Sequence, residues 1–224
     1  MSYSMFSEIY TELFPFWNDI SEEEKKDICD NTKALTYKKG ATVHDGEECL
    51  GVIFIRNGCL RVYILSEEGK EITLYRLHDG DICMLSASCV LQNITFDVHV
   101  DAEENSECYV INGCAYANIS ENNLKIKNFN LETALSRFSD VMWVFQQILF
   151  MSMDKRLAIF LLDEASRTGS DTIELTHEQI AKYMGSAREV VTRMLKYFSS
   201  EGMVESSRKG VRLLDKKRLR GLTL

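Results

Sequence analysis

The stretch ELTHEQIAKYMGSAREVVTRMLKYFSSEGMVESSRKGVRLL, residues 174–214, decides how this chain is read. Thr176 followed three residues later by Gln179 is a capping box, so a helix starts there, runs His177 to Met184 and stops at Gly185. Ser186, with Glu189 three residues on, opens a second helix that carries Val190, Val191, Met194, Leu195 and Phe198 on an apolar stripe; Gly202 ends it. Two helices joined by a tight glycine turn read as a helix-turn-helix, whose second helix presents its first residues to the edges of base pairs.

Those residues are Arg188, Glu189, Thr192 and Arg193. Arg193 lies about one helical turn below Arg188 and Glu189, away from the Val190/Leu195 face. Arginine bonds guanine O6 and N7 bidentately, and a carboxylate accepts from cytosine N4, so the trio suits a site containing G·C pairs. An i,i+4 ion pair between Glu189 and Arg193 on a solvated face, or a capping role for Glu189, accounts for the same spacing. The following run, residues 202–213, places two short apolar segments on either side of Ser-Arg-Lys-Gly, a hairpin with a basic tip (Arg208, Lys209) suited to phosphate contact.

Ile180-Ala181, Met184-Gly185, Arg188-Glu189-Val190-Val191-Thr192-Arg193-Met194-Leu195 and Glu201-Gly202-Met203-Val204 resemble the helix-turn-helix signature of the CRP/FNR family of bacterial transcription regulators. The resemblance implies that Arg188, Glu189 and Arg193 hold base-reading positions. Their identities are similar to those of the cAMP receptor protein branch, which reads TGTGA-like half-sites. It also implies phosphate contacts from Ser186 and Thr192, to which the sequence adds Thr176, Arg208 and Lys209.

The chain has 224 residues and a net charge of −8, which argues at first against a polyanionic partner. From Ser170 onward, however, eleven Lys/Arg outnumber seven Asp/Glu, a net of +4, which leaves −12 on the rest. Local phosphate neutralisation drives duplex binding, so a basic tail on an acidic body fits a DNA reader. No long uncharged apolar run and no leader pattern are present, so the expectation is a cytoplasmic protein with no membrane partner. Seven cysteines scattered without CxxC or Cys/His spacing argue against a secreted disulfide framework and against structural zinc.

After N-terminal helical segments at residues 4–17 and 21–29, residues 34–111 alternate apolar and polar positions in short runs. Strands are expected at residues 42–44, 51–55, 60–65, 71–77 and 108–111, with turns at Gly40, Gly46, Gly58, Gly69 and Gly80. Such spacing predicts a jelly roll, and its glycine placement resembles the family's cyclic-nucleotide-binding-like domain. In that domain an arginine followed by Ser or Thr holds the cyclic phosphate. Here residues 77–124 contain no Lys or Arg, and a buried phosphate without a cation pays its desolvation uncompensated. A cyclic nucleotide is therefore not expected as effector, nor an iron-sulfur cluster, since no cysteine precedes Cys29; haem or redox sensing stays open. The candidate effector pocket is Cys83, Met84, Leu85, Ser86, Ser88, Cys89 and Thr95. The cysteines themselves read as small buried hydrophobes, and His44, His78, His99 and His177 as ordinary roll or cap residues.

Residues 128–153 lack glycine and proline, and Leu131, Leu135, Phe138, Met142, Phe145 and Leu149 recur at heptad spacing. This predicts a long helix with a dimer seam, and a second stripe at Val141, Val144, Ile148 and Met151 to pack on the chain's own roll. A bend near residues 152–154 leads to a further helix at 154–166. Two-fold symmetry then predicts paired recognition helices and a palindromic operator.

The expected fold is α+β: a double-stranded β-helix (jelly-roll) sensor at residues 1–123, a dimerisation helix at 124–153 and a winged helix-turn-helix at 154–224. The expected function is a homodimeric, non-enzymatic transcription regulator that binds double-stranded DNA, has RNA polymerase as a further partner and uses neither a metal nor a catalytic residue. The alternative is a small-molecule-binding or redox-sensing jelly roll with a helical tail that does not bind DNA.

Overall fold

A computed structural model describes residues 3–46, 49–86, 97–207 and 209–223. The elements run α1 (Tyr3–Leu13), a 3-10 turn (Trp17–Asp19), α2 (Glu22–Asp30), β1 (Thr32–Tyr37), β2 (Thr42–His44), β3 (Val52–Asn57), β4 (Leu60–Leu65), β5 (Glu71–Leu77), β6 (Ile82–Cys83), β7 (His99–Ala102) and β8 (Ser106–Ile111). They continue with α3 (Gly113–Asn122), α4 (Leu124–Phe150), α5 (Met153–Thr168), β9 (Thr172–Ile173), α6 (His177–Met184), α7 (Arg188–Ser200), β10 (Val204–Ser207), β11 (Gly210–Leu213) and α8 (Lys216–Leu222). Two compact units result: Met1–Ile64 with Leu74–Val141, and Leu65–Thr73 with Met142–Leu224.

The β-roll consists of two four-stranded sheets, ordered β1-β8-β3-β6 and β2-β7-β4-β5. The β1–β8, β3–β8, β3–β6, β2–β7 and β4–β7 pairs are antiparallel, with Thr32 opposite Ile111, Ile53 opposite Val110 and Val62 opposite Val100. The facing sides enclose Ile53, Ile55, Leu60, Val62, Leu77, Val100 and Cys108, all at most 1% exposed. Four of these, Ile53, Ile55, Val62 and Val100, are β-branched, the residue type that packs best on a pleated surface. Glycine permits the sharp connections: at Gly51 (φ 117°) an added Cβ would stand 2.1 Å from the Ile111 carbonyl oxygen, so no other residue fits.

A second core forms where α1 and α3 meet the β1-β8-β3 sheet, and it is aromatic: Tyr10, Phe14, Trp17, Phe54 and Tyr116 are essentially inaccessible. Phe14 meets Phe54 edge-on at 4.6 Å between ring centres, the arrangement that ring quadrupoles favour. The polar tips are satisfied. The Tyr10 and Thr32 hydroxyls share a 2.8 Å hydrogen bond, and the Tyr116 hydroxyl donates to Asn130 Oδ1 at 2.8 Å while Asn130 donates to Ser120 Oγ, so the start of α4 is keyed to α3.

Strands at residues 32–37 and 99–102 and the helices α3 and α8 lie outside the segments expected from alternation. Their pairing supplies them: β1 and β7 are sheet members because β8, β2 and β4 lie beside them. Among the described cysteines, Cys29, Cys59, Cys83 and Cys108 are buried thiols outside any disulfide, Cys114 is an exposed one, and Cys49 is disulfide-bonded. The buried four behave as the small hydrophobes expected of them.

The long helix runs Leu124–Phe150, starting at the expected residue but ending short of 153, and the chain breaks at Ser152, whose extended backbone (ψ 159°) begins α5. Leu131, Leu135, Phe138, Met142, Phe145 and Leu149 are all exposed on the chain, between 42% and 65%. Val141, on the other stripe, packs against the roll core.

Candidate nucleic-acid interface

The second unit builds its own core from α5, α6, α7 and the three-stranded sheet β10-β11-β9. Leu157, Leu161, Ile180, Val191, Leu195, Phe198, Val211 and Leu219 are fully buried in it. The Thr176 hydroxyl accepts from the Gln179 amide at 3.2 Å, and Gln179 Oε1 accepts from the Thr176 amide at 2.8 Å, so both orphan donors at the start of α6 are satisfied. Gly185, in the left-handed region at φ 59°, ends that helix. The Arg156 guanidinium, half-buried, donates to the Met184 carbonyl and closes the same helix end from α5. Nothing in the spacing of residues 154–166 marks Arg156 for this role, because its partner lies 28 residues away.

The start of α7 corrects the sequence reading. Its cap is Ala187, without a side-chain hydrogen bond, and the first helical residue is Arg188. Ser186 does not cap; its hydroxyl lies 3.8 Å from Met153 Sδ. The chain has to leave Gly185 extended before it can re-enter a helix. This puts Arg188 at the very start of α7, where its stem is not drawn into the core.

Arg188, Glu189 and Arg193 are all exposed, while Val191 and Leu195 on the opposite face are fully buried. No ion pair joins Glu189 to Arg193 among the described residues, so the local pairing that competes with base reading is not formed. Thr192 is half-buried, and its hydroxyl is 3.0 Å from His177 Nδ1. Thr176 is exposed but its hydroxyl serves the cap. Lys209 is exposed at the tip between β10 and β11; Arg208 lies outside the described residues. The wing closes on Gly210 (φ 131°), where a Cβ would come within 2.1 Å of the Ile173 carbonyl oxygen.

In the roll, Cys83, Met84 and Ser86 are buried and Leu85 is half-buried, whereas Ser88, Cys89 and Thr95 lie outside the described residues. The Ser86 hydroxyl donates to the Gly51 carbonyl at 2.9 Å, so it serves the backbone. Burial pushes the Cys83 thiol up and keeps it protonated, although hydrogen bonds from Ser86 oppose the effect. One cation from outside residues 77–124 reaches this region, but it is already committed to carboxylates. Arg137 of α4 donates to Asp81 at 3.1 Å and lies over the Tyr75 ring, 5.2 Å from its centre. A groove of about 490 Å³ opens instead beside β1, lined by Tyr3, Phe6, Cys29, Asp30 and Thr32, and shares no residue with the expected pocket. No helix among the described residues is long and apolar enough to cross a membrane.

A capped helix-turn-helix with a basic-tipped β-wing, carried by a chain that also folds an antiparallel β-roll, defines a DNA-binding transcription regulator with a cyclic-nucleotide-binding-like domain. Comparison with known proteins gives the particular lineage. Residues 155–222 match the Crp-like helix-turn-helix domain and residues 34–123 the cyclic nucleotide-binding domain. A Crp/Fnr-family transcriptional regulator from Eubacterium rectale ATCC 33656 is 46% identical, with a TM-score of 0.91 over 95% of this chain and 99% of that one. The flp protein of Lacticaseibacillus casei, described as a probable transcriptional regulator, is 25% identical over 92% of this chain and 94% of its own. Vfr of Pseudomonas aeruginosa, a cAMP-activated global regulator, is 22% identical over 74% and 81%. The chain belongs to the Crp/Fnr family of transcriptional regulators.

Proposed function

We propose that the protein is a cytoplasmic homodimer that reads a palindromic operator with TGTGA-like half-sites. In it residues 1–123 sense a signal, 124–153 pair two chains and 154–224 bind the duplex. Arg188, Glu189 and Arg193 read base edges in the major groove, while Thr176, Ser186, Thr192, Arg208 and Lys209 meet phosphates. The observation that carries this reading is the exposed Arg188, Glu189 and Arg193 at the start of α7, opposite a fully buried face. Bound to an operator, the dimer acts through RNA polymerase and not by chemistry of its own.

The signal is a small molecule other than cAMP. That reading rests on the lack of Lys or Arg in residues 77–124 and on the commitment of Arg137 to Asp81 and Asp140. Signalling requires only that the molecule bind one arrangement of the chain better than another.

The test is selection of a duplex by the wild-type protein from a randomised pool, followed by measurement of Arg193→Ala on that duplex and on a scrambled one. A loss of about 1–3 kcal/mol confined to the selected duplex, with relaxed choice at one base pair, is expected. Equal loss on both duplexes would overturn base reading. Lys209→Ala should weaken both alike and reduce the salt dependence.

A further inference from the structure

His177 occupies the first turn of α6, directly after the cap, and is half-buried. Its Nδ1 lies 3.0 Å from the Thr192 hydroxyl on α7, and its Nε2 lies 3.1 Å from the Ser206 hydroxyl on β10. One imidazole thus spans the two helices of the helix-turn-helix and the first strand of the wing. Thr192 stands between Glu189 and Arg193, so the ring grips α7 within the segment that presents the reading side chains.

Both partners are hydroxyls, which donate or accept by rotation, so the two bonds survive in either protonation state of the ring. The geometry holds the elements together at any pH, and the ring's charge is decided by its electrostatic surroundings. In the free protein, burial is the main influence and the Arg188 guanidinium of α7 the second; both lower the imidazole's pKa. Thr192 of α7 and Ser206 of β10 are uncharged, and Arg188 is the charged group acting on the ring among the described residues. A duplex laid against α7 and the wing brings a dense row of phosphates to this place, which favours the imidazolium.

We infer that His177 is a positioning residue that clamps the recognition helix to the wing, and that its imidazole takes up a proton when a DNA duplex seats on the two. This rests on the reading of α7 as the major-groove helix. Two opposite pH dependences follow. In the free protein the neutral ring is preferred, so its contribution to stability is complete above the ordinary histidine range and declines as pH falls through it. In the complex the charged ring is preferred, so duplex affinity rises as pH falls through the same range.

The full-length protein is titrated, between about pH 8 and about pH 6, with the duplex it selects from a randomised pool and with a scrambled duplex. Wild type should gain affinity by about three- to tenfold more than H177Q, which lacks a titrating ring. H177A, which loses the span itself, should show a smaller ratio of selected to scrambled binding and faster hydrogen exchange of the β10 amides. An H177Q profile parallel to that of wild type would overturn the proton uptake. Unchanged β10 exchange in H177A would overturn the clamp. Failure of wild type to select any duplex would instead overturn the major-groove reading, a result obtained before any variant is made.

Discussion

Arg137 of α4 donates to Asp81, in the turn before β6, at 3.1 Å, and also holds Asp140 on its own helix at 3.0 Å. Its guanidinium is half-buried, and the neighbouring carboxylates together with the Tyr75 ring hold it firmly protonated against that burial. The Tyr75 hydroxyl is buried without a hydrogen-bond partner, and burial raises its pKa well above the ordinary phenol range. Arg137→Met removes the cation that Asp81 and Asp140 share. We expect a loss of about 1–3 kcal/mol in urea denaturation, and Arg137→Lys to restore only part, since a compact ammonium lacks the rigid guanidinium whose two separate nitrogens serve the two carboxylates. Equal stability of the methionine variant would show that the pair is not structural.

Gly210→Ala tests how the wing is closed. Its backbone lies at φ 131°, and the added methyl would meet the Ile173 carbonyl 2.1 Å away, in backbone that cannot step aside. The β9–β11 pairing must give, at a cost of about 3 kcal/mol or more. Binding to every duplex should fall, and thermal unfolding should report the loss even without DNA.

Leu135→Glu tests the α4 seam, because Leu135 is 65% exposed on the chain and touches no core that would confound the result. Sedimentation should shift from a dimer to the 25.7 kDa monomer, with duplex affinity falling while the unfolding of the separate chain is retained. A dimer that persists would place the interface elsewhere.

Thiol chemistry should follow burial. Desolvation pushes Cys29 up to about 11 and Cys108 up to about 12, and Cys83 is also raised. Alkylation near neutral pH should therefore mark Cys114, which is exposed, well before these three, as read by peptide mass spectrometry. The unfolded chain releases these protons more readily than the folded one. Stability should accordingly decline as pH rises beyond the ordinary thiol range, and the decline should lessen in Cys108→Ala once its own cavity cost is allowed for.

Much of the helix-turn-helix was legible in the sequence because its signals are local. The Thr176/Gln179 box and Gly185 each act within one helical turn, and the 3.6-residue period of Val191, Leu195 and Phe198 settles which face of α7 is covered. Where a boundary depended on the path of the chain, the sequence misled: Ser186 and Glu189 have the spacing of a cap, yet Ala187 is the cap. The strands at 32–37 and 99–102 were missed because their places are filled by pairing with β8, β2 and β4.

What the sequence by itself determined was the class of protein: the periods, caps and glycines that make a helix-turn-helix, and the heptad that leaves one face of α4 apolar. Those are properties of neighbours in the chain, set by backbone geometry and side-chain spacing. The tertiary structure alone decided which distant groups satisfy one another. Arg137 reaches Asp81 across 56 positions, Arg156 reaches Met184 across 28, and His177 reaches Ser206 across 29. Buried and half-buried polar groups must find partners wherever the fold brings them, and no local period encodes which ones they meet.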